Sequence, residues 1–190
     1  MKKVLLLAVV SSVLCACEPD EMDRYNKGVE FQKDGKLSDA EVEYKGALKI
    51  NPNMAEAYLN LAGIYLGKDW YEGSIECSKK AIDIFERTKH TSIDGQLQSF
   101  PEVLSAAYNN LGAAQMGLIE DLKEKSPELA FEKWKEIIDN LKKAIEIDPQ
   151  NAEAQTNLKK NTDARDEYIS EIKSAKAEKT QEAIESFLGE

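Results

Sequence analysis

Tyr25–Ala57, YNKGVEFQKDGKLSDAEVEYKGALKINPNMAEA, is the stretch that decides the fold. It predicts two short helices joined by a tight turn at Gly35, and its pattern returns 34 residues later. An internal period of this size, built from a pair of helices, is typical of a helical repeat array. A single pair cannot bury its apolar face, so each pair must stack on the next. The repeated positions are Asn26 with Asn60, Gly28 with Ala62, Phe31 with Tyr65, and Ala47 with Ala81.

The repeated residues have sizes that suit helices packed against each other. Small residues stand where two helices must approach closely, and aromatic residues stand where the space between helices must be filled. Proline separates one helix from the next, because it lacks the N–H that continues a helix. The small residues are Gly28, Ala62 and Gly112, the aromatic ones are Phe31, Tyr44 and Tyr65, and the prolines are Pro52 and Pro149.

These positions give the chain a resemblance to the tetratricopeptide-repeat (TPR) family over roughly residues 21–165. The resemblance implies an all-α fold, an antiparallel helix-hairpin superhelix of about three repeats with insertions around the third repeat and a long C-terminal capping helix. The first unit shows Gly28-x2-Phe31, Ala40-x3-Tyr44-x2-Ala47 and Pro52, the second Tyr58-x2-Leu61-Ala62-x2-Tyr65 and Ala81, and the third Tyr108-x2-Leu111-Gly112, Ala144 and Pro149.

Capping patterns predict where the first helices begin. Three polar residues are each followed three positions later by glutamate, which is typical of a helix N-terminus. They predict helices over about 21–34, 38–50, 54–67 and 70–87. The pairs are Ser38 with Glu41, Asn53 with Glu56, and Asp69 with Glu72.

The third repeat is interrupted twice. A loop over about 86–101 precedes it, with Ser99 and Glu102 capping its first helix, and Leu118–Lys125 could continue that helix. Ser126-Pro127-Glu128 starts a long second helix that runs to about Ile147, so the hairpin should project about 10 Å beyond its neighbours at 1.5 Å per residue. That projection is a candidate second contact surface. A final helix over 152–188 caps the array.

The N-terminus predicts a targeting segment. Lys2 and Lys3 precede a short apolar run that ends in small residues. Leu14-Cys15-Ala16-Cys17 resembles the lipobox of bacterial lipoproteins, which implies cleavage before Cys17 and acylation of Cys17, including a palmitate-like chain. An ordinary secretory signal is the alternative. The predicted organisation is a signal peptide over 1–16, a lipid-anchored linker over 17–21, the TPR domain over 22–165, and the frayed end of the capping helix over 166–190.

The net charge of the chain and its predicted location limit the kinds of partner it can bind. The chain has a formal charge of −10, which argues against nucleic acid and against a polybasic grip on anionic lipid. By resemblance to the sorting rules of envelope lipoproteins, Glu18 rather than aspartate after Cys17 favours the outer membrane, facing the periplasm.

The remaining reactive residues do not form a catalytic or metal-binding pattern. Cys77 is expected in the core, and His90 is expected to be solvated in the inserted loop. The sequence has no Cys/His cluster for a metal and no recognisable nucleophile–base arrangement. We therefore expect no enzyme activity, no cofactor and no metal.

The first helices of such an array line its concave side, where TPR proteins hold peptides or partner helices. By resemblance, a ladder of asparagines should point into this groove, since a neutral amide both donates to and accepts from a peptide backbone. The alternatives are that asparagine is ordinary at this place in TPR units, and that the flanking apolar residues belong to the core. The ladder is Asn26, Asn60, Asn110 and Asn157, flanked by Tyr25, Leu59, Leu66, Asn109 and Met116.

These features predict a membrane-anchored TPR adaptor that binds a protein or peptide partner in its groove. Val29, Gly63 and Ala113 stand where TPR domains that bind the acidic end of chaperones carry cations, which disfavours that partner. The alternative is an obligate structural subunit of a larger envelope complex, pilotin-like or barrel-assembly-like.

Overall fold

The computed structural model describes residues 19–88 and 100–188, and within these ranges the chain forms eight α-helices. The predicted signal peptide, Cys17, and His90 with most of the inserted loop lie outside the described residues. The predicted all-α hairpin fold is confirmed. The helices are α1 Glu21–Lys33, α2 Leu37–Ile50, α3 Ala55–Gly67, α4 Tyr71–Thr88, α5 Phe100–Gly117, α6 Ile119–Lys125, α7 Pro127–Ile147 and α8 Ala152–Leu188.

The helices pair as antiparallel hairpins that stack in chain order. Helices α1 and α2, α3 and α4, and α5 and α7 form the three hairpins. The second hairpin touches the first through α2 and α3, and the third through α4 and α5. Helix α8 packs against α5 and α7, which makes it the last layer of the array. None of the described helices is long and apolar enough to cross a membrane.

The same left-handed turn closes the first two hairpins. Gly35 has φ +74°, and Lys36 N donates to Phe31 O at 2.8 Å. In the second hairpin Asp69 has φ +56°, and Trp70 N donates to Tyr65 O at 2.9 Å. This six-residue bond is the Schellman form of helix termination, and aspartate is among the few residues that tolerate the left-handed region. The tight turn predicted at Gly35 is therefore confirmed and repeats at Asp69.

The capping patterns at Ser38, Asn53 and Asp69 predicted the wrong contacts. The N-cap positions of α2 and α3 are Lys36 and Met54, and neither makes a side-chain capping bond. Asp69 instead accepts from the Tyr71 hydroxyl at 2.9 Å. At Ser38 and Asp69 the left-handed residue stands two positions before the next helix begins, which moves these polar residues off the capping position. Before α3 no left-handed residue occurs among the described residues, and Asn53 instead donates its backbone N–H to Asn51 Oδ1 at 3.0 Å.

Helix contact within a hairpin depends on small residues. Tyr44 of α2 is fully buried and packs against Gly28 of α1, where an added Cβ would stand 2.6 Å from Cε1 of its ring. Gly112 of α5 has the same relation to Leu141 of α7, with 2.8 Å to Leu141 Cγ. These contacts confirm the expectation that the repeated small residues allow close approach.

The second hairpin replaces this packing with serines. Ser74 and Ser78 occupy the places of Ala40 and Tyr44 and are fully buried. Ser74 Oγ donates to Ala62 O at 2.9 Å, whereas Ser78 Oγ has no hydrogen-bond partner in the described part of the chain. Cys77 between them is buried, as predicted, and this burial raises the pKa of its thiol to about 11.

The insertion in the third hairpin is helical but does not extend α5. The helix stops at Gly117, and α6 begins after Leu118. Helix α6 folds onto α7, where Ile119 is fully buried with Trp134, and Tyr168 of α8 donates its hydroxyl to Lys123 O at 2.9 Å. The extra turns of α7 are thus covered by α6 and α8. One side of this insertion therefore packs in the core around Trp134, and the second contact surface on this hairpin stays a prediction.

The long C-terminal capping helix is confirmed. Helix α8 spans 37 residues, or about 55 Å at 1.5 Å per residue. Leu158, Ala164 and Tyr168 pack on the core around Trp134, while the side chains of residues 170–182 are exposed. Apolar residues become fewer along α8 after Tyr168, where the contact of this helix with the rest of the array ends.

Two glycine-to-alanine substitutions distinguish the effect of packing on stability from the effect of helix propensity. Gly28→Ala should lower the free energy of unfolding by about 1–3 kcal/mol, because its methyl group overlaps the Tyr44 ring. Gly63→Ala should raise it by roughly 0.5–1 kcal/mol, because an added Cβ meets only Asn110 Nδ2 at 3.9 Å and alanine favours helix. Urea unfolding measures both, and equal stabilities of the two variants would contradict the packing assignment.

Candidate partner-binding groove

The first helices of the hairpins lie side by side, and their contacts define one continuous face. Asn60 Nδ2 of α3 donates to Tyr25 Oη of α1 at 3.4 Å. Asn110 Nδ2 of α5 stands 3.9 Å from the place of an added Cβ on Gly63 of α3. Asn157 Nδ2 of α8 donates to Asn109 Oδ1 of α5 at 2.8 Å. We call the face formed by α1, α3, α5 and the start of α8 the groove.

The four predicted asparagines have different surroundings in the structure. Asn26 is exposed, while Asn60, Asn110 and Asn157 are half-buried. The amides of Asn60 and Asn157 already bond neighbouring helices. Asn26 and Asn110 are therefore the ladder members with the most freedom to bond a partner.

Asn109 is the polar residue whose role the sequence did not reveal. Its side chain is 1% exposed and accepts the Asn157 bond between α5 and α8. The adjacent asparagines thus have different roles. Asn109 bonds the capping helix α8, whereas Asn110 faces the groove. The Asn109-Asn110 pair shows in the sequence that one asparagine faces the groove. Which of the two is buried depends on the rotation of α5 about its axis.

A depression of about 450 Å³ occupies the α1 end of the groove. The rings of Tyr25 and Tyr44 lie 5.7 Å apart at its base, and Tyr44 Oη donates to Gln32 Oε1 at 2.7 Å. Burial raises the pKa of Tyr44 to about 12 and also raises the pKa of Tyr25, so both phenols are neutral hydrogen-bonding groups. The lining is Tyr25, Val29, Gln32, Lys33, Tyr44 and Asn60.

Sequence reasoning found part of this lining. Tyr25 and Asn60 were predicted as groove residues, whereas Tyr44 was assigned to helix packing, and Gln32 and Lys33 were not singled out. Lys33 forms no ion pair with the described residues, so it supplies a free ammonium at the rim. The depression thus combines aromatic surface, neutral donors and acceptors, and one cation.

In the middle of the groove, two glycines of α3 leave the helix backbone uncovered by side chains. Gly63 and Gly67 are exposed on α3, and an added Cβ on Gly67 would meet nothing within 4 Å. Leu66 is partly exposed beside them. Leu59 and Met116, also predicted to flank the ladder, pack partly against the cores of the second and third hairpins. A partner chain can therefore approach α3 more closely than a floor of larger side chains would permit.

Two carboxylates have lowered pKa values because lysine side chains bond them. Burial raises the pKa of Glu41, but bonds from Lys45 and Lys68 outweigh it and leave the pKa below its usual value. The Lys133 bond lowers the pKa of Glu136. Among the described residues, no group of three His, Cys, Asp or Glu side chains could hold a metal ion.

Comparison with known proteins identifies the repeat. Residues 55–88, which are the α3–α4 hairpin, match the tetratricopeptide repeat family model. No curated protein matches the chain by sequence. The chain therefore contains a tetratricopeptide repeat and has the fold of TPR domains, a fold typical of non-enzymatic protein interaction.

Solved TPR domains superpose on most of the chain. The first TPR of Spaghetti (RPAP3) bound to the HSP90 peptide SRMEEVD has a TM-score of 0.56 and 20% identity, covering 76% of this chain and 92% of that chain. The second TPR domain of human RPAP3 in complex with the HSP70 peptide SGPTIEEVD has a TM-score of 0.54 and 20% identity, covering 75% and 94%. The Arabidopsis OM64 TPR domain has a TM-score of 0.55 and 20% identity, covering 74% and 93%.

Truncation of Asn157 tests whether this ladder member serves the fold. Asn157→Ala should lower the free energy of unfolding by about 1–3 kcal/mol, because it removes the donor to the buried Asn109 oxygen. Asn26→Ala is the matched control and should change stability by less than about 0.5 kcal/mol, since Asn26 is exposed. Equal effects in urea unfolding would show that the Asn109–Asn157 bond does not stabilise the fold.

Proposed function

We propose that the chain is a lipid-anchored adaptor that holds a protein partner of the cell envelope in its groove. The observation that carries the proposal is the exposed face of α3 at Gly63 and Gly67, flanked by Asn110 and by the tyrosine-lined depression. Bare backbone admits a partner chain closely, and the Asn110 amide and the Tyr25 phenol on either side can bond its main chain.

The chemistry of the groove favours a partner other than the acidic peptides that the RPAP3 domains bind. Those peptides, SRMEEVD and SGPTIEEVD, end in adjacent carboxylates. Here Val29, Gly63 and Ala113 replace the expected cations, and Lys33 is the one cation lining the depression. An extended segment with apolar side chains and few charges would match the groove better.

The anchor is proposed from the lipobox resemblance of Leu14–Cys17. Glu21 begins α1 only four residues after Cys17, so an acyl chain at Cys17 would hold the array within about 15 Å of the bilayer. Several acyl chains bind a bilayer far more firmly than one, at about 0.8 kcal/mol per buried methylene group. Glu18 favours the outer membrane as the site of attachment.

Site-specific crosslinking in the producing cell tests the groove. A photo-crosslinking amino acid at Asn60, Leu66 or Asn110 should capture one protein, because these positions face the groove. Glu76 on α4, with a side chain 73% exposed, is the control. Capture at the groove positions but not at Glu76 supports the adaptor. Capture no greater than at Glu76 contradicts it and favours the structural-subunit alternative.

The mass of the mature N-terminus tests the anchor. The protein should begin at Cys17 and carry acyl chains, and Cys17→Ser should leave it unacylated and release it from the membrane fraction. The Cys77→Ser variant is the control, because its thiol is buried in the second hairpin. An unmodified Cys17 in the mature protein would show that the segment is an ordinary secretory signal.

A further inference from the structure

The outer face of α2 exposes apolar side chains that the rest of the first hairpin does not cover. Val42 is 65% exposed and Ile50 is 49% exposed. They are eight residues apart, which places them on one side of the helix. Between them lies a shallow depression of about 250 Å³, lined by Pro19, Arg24, Val42, Gly46, Lys49 and Ile50. We call this region the α2 face.

The repeat itself does not require this apolar character. In the second hairpin the counterpart of Val42 is Glu76, whose side chain is 73% exposed. The counterpart of Ile50 is Ile84, which is 4% exposed in a core with Phe85 and Leu104. The first hairpin therefore leaves uncovered an isoleucine position that the second hairpin buries, and adds a valine where the second has a charge.

The two charged residues that line the depression are basic, although the chain as a whole carries −10. Arg24 is paired with Glu43 at 3.2 Å, whereas Lys49 forms no ion pair with the described residues. An apolar patch with a free lysine at its edge suits a bilayer that contains anionic lipid, because the apolar side chains enter the boundary of the acyl region while the lysine meets the headgroups.

The course of the chain brings this face to the anchor. Pro19 lines the depression and follows Cys17 by two residues, a span of about 7 Å at full extension. We infer that the α2 face lies directly against the lipid bilayer, an inference that rests on the proposed lipidation of Cys17. The depression of the groove and that of the α2 face share no lining residue, so a bilayer against the α2 face leaves the groove depression open to a partner.

Depth-dependent quenching in vesicles tests the inference. The acylated protein with Cys77→Ala carries an environment-sensitive fluorophore at Val42→Cys and is reconstituted into vesicles of phosphatidylethanolamine and bromine-labelled phosphatidylglycerol. The label at Val42→Cys should lose fluorescence to the brominated chains. The same label at Glu76→Cys, the matched position of the second hairpin, should not. Ile50→Glu should abolish the loss at position 42 while the protein still floats with the vesicles.

The possible outcomes distinguish contact of the α2 face with the bilayer from lipidation of Cys17. If the protein floats with the vesicles but position 42 is quenched no more than position 76, the anchor stands and the inference is overturned. If the protein does not float, the proposed lipidation fails and the inference fails with it. Energy transfer between labels on two copies, without quenching by lipid, would assign the face to self-association and also overturn it.

Discussion

Close approach of paired helices at glycine is the constraint on which the rest of the structure depends. Tyr44 is fully buried only because Gly28 leaves room for its ring, and Leu141 fills the corresponding space against Gly112. Interiors pack near the density of organic crystals, so one added methyl group at either glycine must displace a neighbour. This packing holds the first and second helices of these hairpins together, and the first helices carry the groove.

Some polar side chains of the groove bond neighbouring helices and are therefore not available to a partner. Asn60 and Asn157 bond neighbouring helices, while Asn110 remains at the surface above Gly63. Asn109 is almost fully buried and joins α8 to the third hairpin, so the capping helix is held by a polar bond as well as by the apolar contacts of Tyr168. Stability of the array therefore does not depend on the residues that remain free to meet a partner.

Sequence reasoning predicted the features that depend on residue size and spacing. The 34-residue period and the turn at Gly35 follow from small, aromatic and proline residues in phase. Helix α7 follows from Ser126-Pro127-Glu128, and helix α8 from the stretch without glycine or proline after Pro149. Sequence reasoning missed features that depend on the rotation and meeting of helices. Asp69 lies in a left-handed turn and is therefore not a cap, and the folding of α6 onto α7 places Ile119 in the core around Trp134. Neither the depression at Tyr44 nor the Asn109–Asn157 bond is visible before the helices are placed.

The central claim, that the bare backbone of α3 admits a partner, is tested most directly by filling that space. Gly63→Trp projects a large ring from a position where an added Cβ has free room, and Glu76→Trp places the same ring on the opposite side of the hairpin. The account predicts that the protein captured from the producing cell by the unaltered chain is lost from Gly63→Trp and retained by Glu76→Trp. Equal retention by two folded variants would contradict a partner-binding role for this groove.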